Sequence, residues 1–224
     1  MRRYLLENSN NTRDLGGYSI SLGKYTKFEK FIRSDIIESI NENELEFLKK
    51  INLTTVIDLR NKDEIKRKPN ALKKHFNYHV VSLLGEKSPS NEHDIPEGYI
   101  NIFKNKTTIK EVFKIILNSK GCILFNCNAG KDRTGVISML LLLLKEVPET
   151  DIINDYSVSY NNIRDFVRTI HKNNKDLPAF LGTSKMEYME EALKLFKKEF
   201  QNIDNYFNYL GFTNKEIDKL KKKF

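Results

Sequence analysis

The sequence predicts an α/β fold in which helices flank a central, mostly parallel β-sheet. Short apolar runs such as Cys122–Asn126 (CILFN) and 54–59 are typical of strands that are buried on both faces. These runs alternate with helical patterns along the chain, which favours parallel strands joined by right-handed crossovers. The 224 residues contain no long Pro/Gly/Ser linker and no internal repeat, so we expect one domain over residues 1–224.

The predicted strands and helices can be placed along the chain from local patterns. Strands are expected at 28–33, 54–59, 78–82 and 122–126. Helices are expected at 42–50, 108–118, 133–145, 151–160, 163–172, 184–201, 203–210 and 214–222. Residues 136–144 are apolar on all sides, which indicates a buried helix. The stretch 85–98 has no predicted element, and we expect a surface loop there or, as the alternative, a border of the functional pocket.

The strongest functional signal is the segment 125–135, which reads FNCNAGKDRTG. Cys127 and Arg133 are six positions apart, and this spacing lets one tight loop turn its N–H groups and the guanidinium toward a tetrahedral oxyanion above the sulfur. The predicted strand before the loop and the helix N-terminus after it complete an anion site, and the positive helix end should stabilise a thiolate. We therefore expect nucleophilic cleavage of a phosphoester. The plainer alternative is that Cys127 is a small buried hydrophobic residue.

Two other kinds of site do not fit the same residues. A nucleotide-binding loop needs a glycine five positions before its Gly-Lys pair and a hydroxyl residue after it, but Phe125 and Asp132 occupy these positions. Cys122 and Cys127 are the only cysteines, and the four histidines show no ligand spacing near either of them. The sequence therefore predicts no metal and no other cofactor.

Charge and apolar patterning set expectations about partners and location. The net charge of +8 could steer anionic substrates, but no motif interleaves aromatic and basic residues, so nucleic acid binding is not expected. The run 136–144 is too short to span a bilayer, and the N-terminus lacks the apolar centre of a signal peptide. We expect a cytoplasmic monomer without stable membrane insertion, and secretion into a host without a classical signal peptide stays open.

Several segments together resemble the atypical bacterial tyrosine and lipid phosphatases, whose loop reads His-Cys-x-Ala-Gly-Lys-Asp-Arg-Thr-Gly. Nearly the whole chain takes part in the resemblance. The matching segments besides the loop are 11–18 (NTRDLGGY), 31–35 (FIRSD), 56–64 (VIDLRNKDE), 155–159 (DYSVS) and 209–220 (YLGFTNKEIDKL). One departure is Asn126, which occupies the position of the family's histidine before the cysteine. The resemblance implies a cysteine-phosphatase fold and activity.

The resemblance also implies roles for the loop residues. Cys127 would be the nucleophile that forms a phosphocysteine, Arg133 the bidentate phosphate clamp, and Thr134 the hydroxyl that stabilises the thiolate. Asp132 would be the general acid, and the need of the leaving group for a proton points the same way. The alternative for Asp132 is a pair with Lys131 or a helix cap. Lys131 resembles loop lysines of phosphoinositide phosphatases, with an exposed, solvated lysine as the alternative.

Further substrate contacts are expected from the rest of the loop and from two distant residues. The loop residues in question are Asn128, Ala129 and Gly130. Asp58 ends a predicted strand at the carboxyl edge of the sheet, where it could orient Lys131 or act as an alternative acid. Arg13 is the second distant candidate, and a structural Arg–Asp network is the favoured alternative for it. The segment 161–182 could form a helical lid over the site, or simple core helices.

The predicted function is that of a cysteine-dependent protein tyrosine phosphatase acting through a phosphocysteine, with dual-specificity or phosphoinositide activity as further options. The expected partners are accordingly phosphotyrosine proteins or phosphoinositides. A catalytically weakened, phosphate-binding relative is the competing hypothesis, because Asn126 replaces the histidine. A thiol-based arsenate reductase fits less well, since it needs partner cysteines and Cys122 lies at the far end of the buried strand.

Overall fold

The computed structural model describes residues 2–21, 23–83 and 89–224, and within these ranges it contains seven strands and nine α-helices. The strands are β1 (Arg13–Asp14), β2 (Ser19–Ser21), β3 (Lys24–Tyr25), β4 (Phe31–Ser34), β5 (Leu53–Asp58), β6 (Asn77–Val80) and β7 (Cys122–Asn126). The helices are α1 (Glu42–Lys50), α2 (Lys62–Arg67), α3 (Asp94–Lys104), α4 (Lys106–Asn118), α5 (Asp132–Leu144), α6 (Glu149–Asn173), α7 (Met186–Phe200), α8 (Ile203–Tyr209) and α9 (Asn214–Lys221). No helix in these ranges combines the length and the apolar character needed to cross a bilayer.

Five strands form one sheet in the order β1-β4-β7-β5-β6. β7 lies between β4 and β5 and is parallel to both, β6 is parallel to β5, and β1 is antiparallel to β4 at the edge. This arrangement confirms the predicted α/β fold with a mostly parallel sheet. Ser34 and Asp58 are both in register with Asn126. The carboxyl ends of β4, β7 and β5 therefore meet at one edge, and the segments that follow them surround the loop after β7.

Helices cover both faces of the sheet because β7 points alternate side chains into two apolar cores. Ile123 and Phe125 belong to the larger core, which is built with α3 to α9. Cys122 and Leu124 belong to the smaller core, which includes Leu48 of α1. Helix α5 lies in the larger core and is buried along most of its length, as its apolar sequence predicts. Buried strand and buried helix thus hold the loop between them rigidly at its two ends.

Some predicted elements differ from those observed. The helices expected at 151–160 and 163–172 form one continuous helix, α6, because the apolar positions Ile163, Phe166 and Val167 continue its amphipathic stripe and outweigh the weak helix propensity of the asparagines at 161 and 162. Helix α3 occupies part of the stretch expected to be a loop, and residues 84–88 of that stretch lie outside the described residues. Helix α2 and the short strands β1 to β3 were not predicted.

Candidate active site

The loop 127–131 connects the end of β7 to the start of α5, at the edge where the parallel strands end. Gly130 has a φ of 64°, in the left-handed region that favours glycine. A Cβ atom at this position would lie 2.5 Å from the amide nitrogen of Asp35 and 2.6 Å from the carbonyl carbon of Ser34. Glycine is therefore required for the loop to pack against the end of β4.

The carbonyl groups of the loop are turned outward by donors from distant segments. The Asn11 side chain donates to the carbonyl oxygens of Ala129 and Gly130, at 2.9 and 3.0 Å. The Arg33 guanidinium also donates to Gly130 O, at 2.9 Å, and the Ile36 amide donates to the carbonyl of residue 128 at 3.2 Å. In the described part of the chain, the amides of residues 128–133 have no hydrogen-bond acceptor in the protein, and the first helical bond runs from the Gly135 amide to the Lys131 carbonyl. These N–H groups are therefore available to a bound anion, as an anion-binding nest requires.

A buried charge network under the loop explains how Arg33 is held. The Asp155 carboxylate of α6 pairs with both Arg33 and Arg13, and all three side chains are at most 5% exposed. Burial alone raises the pKa of Asp155, but the two guanidinium groups hold it well below its usual range. The network therefore ties α6 and the N-terminal segment to the back of the loop.

Arg13 is one of two predicted substrate contacts that the structure corrects. Its guanidinium makes five hydrogen bonds, to Asn11, Asp155 and Ser159, so no donor is left for a substrate. The favoured alternative, a structural Arg–Asp network, describes it. Asp58 is fully buried, and its two carboxylate oxygens accept hydrogen bonds from Arg60 and Tyr78. Its carboxylate is thus occupied in the sheet, and within the described ranges it makes no contact with Lys131 and does not line the pocket over the loop.

Cys127 follows β7 directly and is 3% exposed, with Asn126 fully buried beside it. The Asn126 side chain donates to the carbonyl oxygen of Cys127 at 3.4 Å and accepts from the Asn70 side chain at 3.1 Å. Asparagine thus braces the backbone at Cys127 through neutral hydrogen bonds. Asn126 occupies the position of the family's histidine and still holds the neighbouring backbone by a hydrogen bond, but it cannot carry the positive charge of an imidazole.

Arg133 is held by a carboxylate from another helix. Its two terminal nitrogens donate to the two carboxylate oxygens of Glu64, both at 2.7 Å. These hydrogen bonds lower the pKa of Glu64, and although burial acts in the opposite direction, they raise the pKa of Arg133 above its ordinary value. Glu64 also completes the capping box of α2 with Asn61. Sequence reasoning missed Glu64, although it ends the matching segment 56–64.

Asp132 and Lys131 lie next to each other at the floor of the pocket. The Asp132 side chain is 43% exposed, and its Oδ1 accepts from the Tyr99 hydroxyl at 2.5 Å. Burial and the nearby carboxylate raise the pKa of Tyr99 well above its usual value, so the phenol stays a donor. Lys131 lies 3.3 Å from Asp132, and its ammonium donates to the Thr183 carbonyl at 2.7 Å. Its side chain is only 5% exposed, which excludes the solvated alternative.

Thr134 begins the buried turn of α5 after Arg133. Its hydroxyl is inaccessible to solvent and has no hydrogen-bond partner in the part of the chain that the structure describes. A buried hydroxyl without a partner is costly, and a ligand bound at the loop could satisfy it. This placement is compatible with the predicted contact, and that contact stays a prediction.

A pocket of about 500 Å³ opens above the loop. Its floor includes Ala129, Lys131, Asp132 and Arg133, and its walls come from α3, the second half of α6 and the chain after α6. The segment 161–182, predicted as a possible lid, borders this pocket as the end of α6 followed by turns. Two contacts fix the turns beside the pocket: the Lys131 bond to Thr183, and the His171 ring, whose Nε2 lies 2.9 Å from Leu181 O.

Comparison with known proteins assigns the family. A model of the tyrosine phosphatase family matches residues 4–224, and the chain belongs to this family. A tyrosine-protein phosphatase of Nostoc commune is 31% identical over 142 residues, which cover 58% of this chain and 48% of the relative. The chain thus matches about half the length of that curated relative.

Two solved structures share a more distant likeness. TpbA of P. aeruginosa is 10% identical, with a TM-score of 0.40, over 84% of this chain and 90% of the other. The core catalytic domain of the PP-IP phosphatase Siw14 from S. cerevisiae is 18% identical, with a TM-score of 0.38, over 66% of this chain and 90% of the other.

Proposed function

We propose that the protein is a cysteine-dependent phosphatase that hydrolyses phosphomonoesters through a phosphocysteine. The observation that carries this proposal is the loop itself, whose carbonyl groups bond to distant donors while its amides, next to Cys127 and the braced guanidinium of Arg133, have no acceptor in the described part of the chain. Such a set of donors binds three phosphoryl oxygens and favours the charge that develops on them during transfer.

The proposed reaction has two steps. In the first, the Cys127 thiolate attacks phosphorus, the bond from phosphorus to the ester oxygen breaks, and Asp132 gives its proton to the departing oxygen. In the second, Asp132 takes a proton from a water molecule that attacks the phosphocysteine, and inorganic phosphate leaves with the thiolate restored. Arg133 holds two equatorial oxygens in both steps, and Thr134 donates to the leaving sulfur.

Phosphotyrosine proteins are the first substrate class that we propose, because the chain belongs to the tyrosine phosphatase family. Activity on phosphoserine, phosphothreonine or phosphoinositides with a single ring phosphate remains part of the proposal. Closure of the segment 161–182 over bound substrate is proposed as well, since this segment supplies a wall of the pocket. A cytoplasmic monomer remains the expected form.

The test compares the parent with Cys127→Ser on p-nitrophenyl phosphate. The variant should lose turnover and still bind vanadate or phosphate, because a hydroxyl has a similar shape but is far less nucleophilic. Arg133→Lys should weaken vanadate binding as well, since a point charge cannot reproduce the planar fork. Equal rates in the parent and Cys127→Ser would overturn the covalent mechanism. Tight vanadate binding by a parent without turnover would favour the phosphate-binding relative instead.

A further inference from the structure

The second half of α6 carries an apolar stripe that the protein itself leaves partly uncovered. Ile163, Phe166, Val167 and Ile170 recur at helical spacing and all line the pocket above the loop. Phe166 and Ile170 are each 37% exposed, whereas the apolar residues of most other helices are buried in the core. An apolar surface of this kind, next to a reactive loop, is a binding surface more often than an accident of packing.

The opposite walls of the pocket are apolar too. Helix α3 contributes Ile95 and Ile102, and the turns after α6 contribute Leu177 and Leu181. These side chains face the α6 stripe across a space of about 500 Å³, which is more than one phenyl ring fills and within the range of sites for larger organic ligands.

The charged groups of the described lining are already engaged at the floor. Arg133 is paired with Glu64, and the Lys131 ammonium contacts Thr183 O and Asp132. Higher up, the wall carries Asp94, whose carboxylate accepts from the amides of residues 90 and 91. A carboxylate there repels further phosphoryl groups. The floor of the pocket can thus bind one phosphoryl group, and its walls can bind an apolar group.

We propose that, among phosphomonoesters with the same leaving-group chemistry, the site prefers amphiphilic ones, with one phosphoryl group on an extended apolar body, and that Phe166 and Ile170 determine this specificity. This inference rests on the proposed phosphatase function and names its substrate class. The phosphoryl group binds the loop, and the apolar body lies between α3 and α6. Phosphoinositides with several phosphates on the ring would place additional charge against these apolar walls, so we expect them to be poor substrates.

A homologous series of n-alkyl phosphates distinguishes binding of the alkyl chain in the pocket from effects on the bond-breaking step. The leaving alcohols from butyl to octyl have nearly the same acidity, so only the apolar length changes. Below their micelle-forming concentrations, kcat/KM should rise at least about tenfold from butyl to octyl phosphate, since each fully buried methylene is worth about fourfold. An inositol ring with several phosphates should be cleaved more slowly than octyl phosphate. A flat alkyl series, or faster cleavage of the inositol phosphate, would overturn the proposal.

Phe166→Ser is the diagnostic variant, and Val158→Ser is its control on the same helix, since Val158 is 42% exposed and does not line the pocket. Phe166→Ser should reduce the ratio of octyl to butyl kcat/KM about fivefold to tenfold, mainly through KM, whereas Val158→Ser should leave that ratio as in the parent. Equal ratios in both variants would contradict the role of Phe166.

Binding measurements keep this test separate from the proposed function. Butyl phosphonate and octyl phosphonate are not hydrolysed, so their affinities for the parent and for Cys127→Ser can be measured by calorimetry whether or not the protein turns over esters. Tighter binding of the octyl compound supports the pocket assignment even if hydrolysis fails. Equal affinities refute it even if p-nitrophenyl phosphate is cleaved.

Discussion

Replacing Glu64 by glutamine removes the charged partner of Arg133 while changing the shape of the side chain little. Glutamine at the third position of α2 still completes the capping box with Asn61, so the helix should keep its start. In the parent, the Arg133 guanidinium donates to both carboxylate oxygens of Glu64, each at 2.7 Å. In Glu64→Gln, one of these oxygens is replaced by an NH₂ group, which cannot accept a hydrogen bond. The Arg133 side chain would then be held less firmly in the orientation proposed to bind phosphate.

The magnitude follows from the two charge-assisted hydrogen bonds. Each such bond contributes about 1.5–3 kcal/mol when buried. The two side chains are 15–17% exposed, so some solvent screening reduces that contribution. We expect a loss of about 2–3 kcal/mol of transition-state stabilisation, which corresponds to a fall in kcat/KM of roughly 30-fold to 150-fold.

The assay is p-nitrophenyl phosphate hydrolysis together with vanadate affinity, and both should decline in Glu64→Gln. Glu38→Gln is the matched control, because Glu38 forms an exposed ion pair with Lys68 at 2.8 Å. An exposed pair contributes little free energy, so this variant should keep the activity and vanadate affinity of the parent. Thermal unfolding of both variants shows whether the fold is kept. An unchanged kcat/KM and vanadate affinity in Glu64→Gln would refute the proposed positioning of Arg133.

The same pair predicts a pH dependence of stability. Hydrogen bonds from Arg133 lower the pKa of Glu64 in the folded protein. A carboxyl with a lowered folded pKa stabilises the fold fully above its unfolded value of about 4.3, and this contribution is lost as the pH falls through the folded pKa. The difference in unfolding free energy between the parent and Glu64→Gln should therefore be constant near pH 7 and shrink below about pH 4. A difference that stays constant down to pH 3 would contradict the pairing.

Three further substitutions test the acid and the support of the loop. Asp132→Asn should slow the hydrolysis of alkyl phosphates strongly and that of p-nitrophenyl phosphate mildly, since only poor leaving groups need the proton; equal losses would make Asp132 structural. Asp155→Asn should lower the free energy of unfolding in urea by about 3–5 kcal/mol, because it leaves buried arginines unpaired, and a loss below about 1 kcal/mol would argue against the network. Gly130→Ala should abolish vanadate binding, because its Cβ would collide with the backbone of β4, and retained binding would show that the loop can shift.

Consecutive residues were sufficient to predict the loop between β7 and α5. The strand β7, the spacing from Cys127 to Arg133 and the apolar helix α5 are local patterns, and local backbone geometry follows largely from local sequence. The parallel sheet was predictable for the same reason, because alternating strands and helices permit few other arrangements. The break expected within α6 was wrong because the propensity of two asparagines is weak, and the apolar residues after them, beginning with the buried Ile163, keep the helical spacing.

Tertiary structure alone decided which distant residues serve the loop. Arg33 and Glu64 reach it because β4 and β5 end in register with β7, and Asn11 reaches it because β1 pairs with β4. Sequence separation carries no information about these registers. The same packing engages the side chains of Arg13 and Asp58 fully in hydrogen bonds to other protein groups, although both were plausible substrate contacts from the sequence. The apolar pocket likewise exists only where α3 and α6 approach each other, because a cavity is a property of surfaces that meet from different parts of the chain.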